Sequence, residues 1–187
     1  AIHQAIREGD LPKVQEILKN DPSQINAPDP TKNEKVPLLS AVALGYKNIV
    51  SFLIDQGADV NMMHKGKGIS PLGMSAILGN RSMAALLLEK GANVNGPKKI
   101  PTGMTPLMLA IESGNYSLVK HLVENGANVN LKSQDGTKSF TWSDFIMHLA
   151  ENGVDFNVEL EKGTTPLSVA NKNKDRIVNY LIEKGAK

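Results

Sequence analysis

Apolar residues recur along this chain at helical spacing, in short runs that glycines separate. The clearest example is the stretch 103–130, which contains two apolar helical faces. Thr105 can cap the first helix through its hydroxyl, and Pro106 suits the first helical position, where a missing N–H is no loss. Gly114 and Gly126 can end the helices in the left-handed conformation. The pattern predicts two short helices joined by a glycine turn, neither stable alone. The two faces consist of Leu107, Ala110 and Ile111, then Leu118, Val119, Leu122 and Val123.

The same pattern occurs at 36–61 and 70–95, again with two apolar runs around a glycine. The residues that close the three copies, Asn61, Asn95 and Asn130, lie 34 and 35 positions apart. A helix–turn–helix unit repeated at this period is typical of a solenoid, in which stacked units share one elongated core. Glycines at the central turns (Gly45, Gly79 and Gly114) are expected to have positive φ.

The sequence pattern of the repeat resembles that of the ankyrin repeat. Thr105-Pro-Leu and Ser70-Pro-Leu match the Thr-Pro-Leu-His-x-Ala motif, and Gly57-Ala-Asp-Val-Asn matches the family's closing motif. The resemblance covers nearly the whole chain. It implies an all-α ankyrin-repeat solenoid of helix–turn–helix units, with β-hairpin or loop "fingers" between them. His3 stands at the family's histidine position, where the imidazole usually bonds backbone.

Six units are predicted within a single ankyrin-repeat domain. The fifth is degenerate, because Asn157 follows Asn130 by only 27 residues and the first helix is shortened to one turn or less. A single helix over 137–153 is the alternative. The polar run 171–176 suits a solvent-facing cap in the sixth unit. In the first unit, residues 21–23 replace the usual Gly-Ala turn, and the Pro-rich 27–35 is predicted to be loop. The approximate units are 1–26, 27–61, 62–95, 96–130, 131–157 (truncated) and 158–187 (cap).

The composition of the chain argues against several classes of function but does not select one. The chain has no cysteine, which excludes disulfides and thiolate chemistry, and its formal net charge of +2 is too small to indicate nucleic acid. No apolar run approaches the ~20 residues needed to span a bilayer. We expect no nucleic-acid or membrane partner, and an intracellular location: cytoplasmic or nuclear, or the host cytosol for a secreted effector. No signal peptide is visible, although the chain begins at Ala1, so removal of an upstream segment stays open.

The sequence offers no constellation that indicates catalysis. The four histidines (His3, His64, His121 and His148) are not paired at metal-ligand spacing, and the glycines of 65–68 lack the spacing of a phosphate-binding loop. His121 and His148 are expected on helix surfaces or in a groove. We therefore expect no enzyme activity, no cofactor and no metal. In eukaryotes, Asn61, Asn95 and Asn130 would also resemble asparagine-hydroxylation acceptors.

The resemblance places the binding surface on the fingers and on the residues just after the first-helix alanine. These are Arg7 and Glu8, Ala43 and Leu44, Ile77 and Leu78, Glu112 and Ser113, and Asn171 and Lys172. The middle pairs are apolar where a solvated surface would be polar, which marks an interaction site. Burial of Leu44 and Ile77 between units is the alternative. The predicted partner-binding residues are Leu44, Ile77, Leu78, Met62, Met63, Lys65, Lys67, Lys98, Lys99, Met104 and Trp142.

The predicted function is a non-catalytic protein–protein interaction module, acting as a monomer. The finger lysines, with no acidic residue among them, favour an acidic and apolar protein or peptide, although lysines also keep loop tips soluble. The alternative is a targeting or scaffold segment of a larger multidomain regulator or intracellular-bacterial effector whose activity lies elsewhere.

Overall fold

A computed structural model describes residues 1–30, 35–63, 68–96, 105–113 and 115–127. Within these ranges the chain forms eight α-helices and one 3-10 helix, and no strand. The fifth and sixth predicted units, with their alternative helix over 137–153, lie outside the described residues, so the division into six units stays a prediction. The helices are α1 Ile2–Glu8, α2 Leu11–Asn20, α3 Pro37–Leu44, α4 Lys47–Asp55, α5 Pro71–Ile77, α6 Arg81–Glu89, α7 Pro106–Glu112 and α8 Tyr116–Glu124, and the 3-10 helix is Pro22–Asn26.

The helices form two layers. The first helices α1, α3, α5 and α7 pack side by side in chain order, and so do the second helices α2, α4, α6 and α8. Each first helix also packs on the second helix of its own unit. This arrangement confirms the predicted all-α solenoid.

Equivalent positions of successive units form the core between the layers. Leu38, Leu72 and Leu107 are buried at the position after the helix-starting proline. The next core position takes small residues, which allow neighbouring first helices to approach closely. It is Ala41 in α3 but Ser75 in α5, whose buried hydroxyl donates a hydrogen bond of 2.7 Å to the Leu72 carbonyl. That bond satisfies the hydroxyl inside the core.

The turns between paired helices lie directly against one another. Gly45 and Gly79 have φ of 80° and 64°, as predicted, whereas Gly114 lies outside the described residues. Gly9 has the same conformation, and the Tyr46 ring lies 3.1 Å from the place that a Cβ of Gly9 would occupy. Asn115 Nδ2 donates a 2.6 Å hydrogen bond to the Gly79 carbonyl. Gly9 and Gly79 therefore provide both the backbone conformation and the room for the next unit, whereas Gly45 provides the conformation.

Polar side chains begin most of the helices. The Thr105 hydroxyl accepts from the Met108 amide at 3.2 Å, which confirms the predicted cap, and Ser70 plays the same part in α5. Three of the four second helices are capped in the same way: Asp10, Asn80 and Asn115 accept from amides three residues on, at 2.9, 3.0 and 3.0 Å, whereas Tyr46 before α4 makes no such bond. Such caps typically contribute about 1 kcal/mol.

The first unit ends in the 3-10 helix rather than in a Gly-Ala turn. Asp21 caps it: Oδ1 accepts from the Ser23 hydroxyl at 2.6 Å and from the Ser23 amide at 3.1 Å, and Oδ2 accepts from Gln24 at 3.2 Å. The Ser23 hydroxyl, then the Gln24 amide and the Ser23 backbone, lower the pKa of the Asp21 carboxyl, because these donors favour its ionised form.

Substituting the turn glycines tests the packing of the turns. Gly79→Ala should destabilise the protein by about 1–3 kcal/mol, because the left-handed backbone is strained with a Cβ and that Cβ would meet Asn115 Nδ2 at 3.2 Å. Gly45→Ala is the matched control: the strain is the same, but the nearest atom would be 3.9 Å away. Denaturant unfolding should rank Gly79→Ala as the costlier change; equal losses would contradict direct contact between the turns.

The Asp21 pKa tests the cap of the 3-10 helix. Because the folded pKa lies below the ordinary value, the interaction stabilises the fold above that ordinary value and is lost as the pH falls through the folded pKa. A carboxyl-detected NMR titration should find the lowered pKa in the parent and a pKa closer to the ordinary value in Ser23→Ala. An unchanged pKa in that variant would show that the hydroxyl is not responsible.

Candidate protein-interaction surface

Three large apolar side chains on neighbouring units are exposed to solvent. Leu44 is 47% exposed, Ile77 41% and Leu78 51%, and no other large apolar side chain in the described ranges is classed as exposed. The alternative that Leu44 and Ile77 are buried between units is therefore wrong. These three residues are called the apolar patch below.

The apolar patch lies where the first helices end. Leu44 is the last residue of α3, Ile77 is the last of α5, and Leu78 follows it. The core-facing residues of α3 include Leu38, Ala41 and Val42, all of which are buried. At 3.6 residues per turn, position 44 falls away from that face, so its side chain meets solvent.

The residue before each turn glycine forms a row across the units, which we call the turn row: Glu8, Leu44, Leu78 and Ser113. All four are exposed. Two of the three junctions in the row have close contacts between the turns: Tyr46 packs over Gly9, and Asn115 bonds to Gly79. The row runs from acidic through apolar to a neutral hydroxyl.

A hydrogen-bonded polar cluster occupies the α1 end of the turn row. Arg7 Nη1 donates to Asp29 Oδ2 at 2.8 Å, and Arg7 also donates to Gln4 Oε1 from Nε and Nη2 at 3.2 and 3.0 Å. Gln4 in turn donates to Glu8 Oε1 at 2.6 Å. Asp29 is only 3% exposed, so the guanidinium balances a carboxylate that has lost most of its contact with water.

His3 bonds to the backbone, as its position in the motif predicts. Its Nε2 lies 2.7 Å from the Ala27 carbonyl, and because a carbonyl only accepts, Nε2 is the donor. Together with the ion pair between Arg7 and Asp29, this bond fixes the loop after α2 against α1. His121 lies on α8, as expected of a second helix, but is half-buried rather than on the helix surface. His64 and His148 lie outside the described residues.

The finger residues of the predicted site divide into two groups. Met62 and Met63 are half-buried, and Met62 packs against the core, so part of its apolar surface is already used within the fold. The remaining predicted partner-binding residues lie outside the described ranges: Lys65, Lys67, Lys98, Lys99, Met104 and Trp142.

Two half-buried residues on the first helices were missed by sequence reasoning. Met74 and Leu109 lie on α5 and α7, three residues before the helix ends, and both pack against the core while keeping part of their surface exposed. Met74 and Leu109 precede Ile77 and Ser113 by one helical turn, and this spacing in the sequence could have placed them on the same helix face. Met74 extends the apolar patch along α5.

Other kinds of site have little support in the part of the chain that the structure describes. It contains no group of three or more His, Asp or Glu side chains placed to hold a metal ion. None of its helices has the length and apolar character that crossing a membrane requires. The surface feature that remains is the apolar patch with its polar neighbours.

Helical pairs that stack in two layers define a helical-repeat solenoid, and this one has an apolar patch on its first-helix layer. The chain belongs to the ankyrin repeat family: the family model for ankyrin repeats (3 copies) matches residues 2–98 and 59–133. Ankyrin repeats are generally protein–protein interaction modules.

A solved structure of similar fold is among those that match the chain. It is an ankyrin repeat domain from Acinetobacter baumannii AYE, with a TM-score of 0.82 and 24% sequence identity, covering 100% of this chain and 98% of that one. At this identity the likeness concerns the fold alone. The comparison with curated proteins gave no match.

Proposed function

We propose that this protein is a non-catalytic binding module that holds a protein or peptide segment on its first-helix face, centred on Leu44, Ile77 and Leu78. The observation that carries the proposal is the exposure of all three residues, 41% to 51%, on adjacent units. Water in contact with this surface is released when an apolar partner covers it. We infer that the free module is a monomer within the cell.

The size of the effect is suited to reversible recognition. Fully burying a Leu or Ile side chain is worth roughly 1.5–3 kcal/mol, so covering three half-exposed ones contributes on the order of 1 kcal/mol each. Met74 adds a flexible thioether that can adapt to differently shaped partners. The patch can act as the centre of a contact but needs polar neighbours for specificity.

Charge in the sequence indicates the chemistry of those neighbours. Lys65 and Lys67 lie in one finger and Lys98 and Lys99 in the next, with no acidic residue between 62 and 69 or between 96 and 102. Acidic side chains beside the apolar part of the partner would complement these lysines. We therefore propose a partner segment that is apolar at its centre and acidic on the finger side.

The substitution Ile77→Glu tests the proposed surface. The side chain is 41% exposed, so the free protein should fold with an unchanged circular dichroism spectrum. Binding of peptides selected from a random display library against the parent protein should weaken by about 30-fold or more, which corresponds to ~2 kcal/mol, because a carboxylate would be desolvated in an apolar contact.

Gln15→Glu is the matched control, since it adds the same charge at an exposed position of α2, in the other helix layer. It should leave binding unchanged. A folded Ile77→Glu protein that still binds like the parent would contradict the proposed surface. Size-exclusion chromatography of the parent and Ile77→Glu would show whether the patch instead joins two copies of the chain.

A further inference from the structure

We propose that Glu8 gives the interaction surface a direction: its carboxylate pairs with a lysine or arginine of the partner segment, next to the side chain that covers Leu44. The proposal rests on the function proposed above and specifies the partner's chemistry. The bound segment would then carry a basic residue at the α1 end of its apolar part.

The stacked turns place Glu8 beside the apolar patch. Glu8 and Leu44 each precede a left-handed glycine, and the ring of Tyr46, which follows Gly45, packs against Gly9. Because α1 and α3 pack directly, the two side chains are separated by about one helix spacing, roughly 8–10 Å. A segment that covers Leu44 therefore reaches Glu8 with its next few residues.

Glu8 is an exposed charged group at this end that makes no ion pair among the described residues. The neighbouring cation, Arg7, is engaged by Asp29 at 2.8 Å, and the two opposite charges cancel. Gln4 donates to Glu8 at 2.6 Å, which orients the carboxylate without neutralising it. Among the described residues, no Lys, Arg or His lies within ion-pair distance of Glu8.

A charge at the edge of an apolar contact favours one orientation of the segment over the other. An exposed ion pair adds little affinity, but partial exclusion of water by the bound segment strengthens it. Reversing the segment would leave Glu8 facing an apolar or acidic group. The expected effect is a 3–10-fold loss of affinity when either charge is removed, and the gain from the pair should shrink at high salt.

The test uses peptides selected from a random 16-residue display library against the parent protein. The enriched sequences should contain a lysine or arginine at a fixed distance from their apolar residues. Fluorescence anisotropy then compares the peptide and its Lys→Gln or Arg→Gln version on the parent and on Glu8→Gln. The Glu8→Gln protein should bind the original peptide 3–10-fold more weakly than the parent protein does. Its affinity for the neutralised peptide should equal that of the parent, so that the two changes are coupled.

Two further variants distinguish the possible outcomes. Glu89→Gln removes an equal charge from an exposed position of α6, in the other layer, and should change nothing. Glu112→Gln removes the acidic residue that ends α7, the first helix that packs on α5 on the side away from α3. Coupling of the peptide cation to Glu112 instead of Glu8 would overturn the proposed direction.

The inference and the proposed function fail in different ways. Suppose that Ile77→Glu abolishes binding but Glu8→Gln shows no coupling, or that the enriched peptides lack a basic residue. The role proposed for Glu8 is then wrong, whereas the proposed binding surface at the apolar patch still stands. If Ile77→Glu leaves the selected peptides bound as tightly as before, the proposed function itself is wrong. Melting curves for Glu8→Gln should match the parent, because glutamine can still accept from Gln4.

Discussion

Helices of seven to ten residues are too short to be stable in water, and every described α-helix of this protein falls in that range. Each one therefore depends on burying its apolar face against its partner helix and against the adjacent units. This requirement explains the regular use of leucine, alanine and serine at equivalent core positions. It also explains Gly9 and Gly79, since a Cβ at either turn would press against the next unit.

The same requirement leaves the ends of the first helices outside the core. A first helix of seven or eight residues uses its inner positions for the core, so its last residues lie beyond the face that packs. Nothing in the fold demands an apolar residue there, and in α1 the equivalent positions are the charged Arg7 and Glu8. Leucine and isoleucine at 44, 77 and 78 thus have no role in the core that would account for them. That difference between units is the reason to connect these side chains with a partner.

Much of this could be predicted from the sequence because it depends on spacing. Helical periodicity located the paired helices, glycine located the left-handed turns, and the place of Thr105 before Pro106 located a cap. What the sequence did not indicate depends on where side chains meet across units or loops. The bond from Asn115 to Gly79 joins residues 36 positions apart, and the pair of Arg7 with Asp29 crosses 22. Such contacts follow from the stack, and no local pattern encodes them.

The two edges of the contact between the second and third units are held differently. At the edge where the fingers begin, Lys90 pairs with Asp55 at 2.6 Å, and Asn61 accepts from the Asn93 amide at 2.7 Å. At the turn edge, Asn80 Nδ2 stays 3.9 Å from the Cβ position of Gly45, and no hydrogen bond between these two turns is found among the described residues.

Stability in a stack of repeats is roughly the sum of the contributions of the units and of the interfaces between them. The polar bonds at the finger edge belong to one such interface, and because they are directional they align the second unit with the third. The turn edge between the same units depends on packing, and Leu44 and Leu78 lie along it. Van der Waals contacts are individually weak and non-directional, unlike the hydrogen bonds at the other edge. Leu44 and Leu78 therefore lie at the edge of this interface that depends on packing, where the proposed partner segment would make further contacts of the same kind.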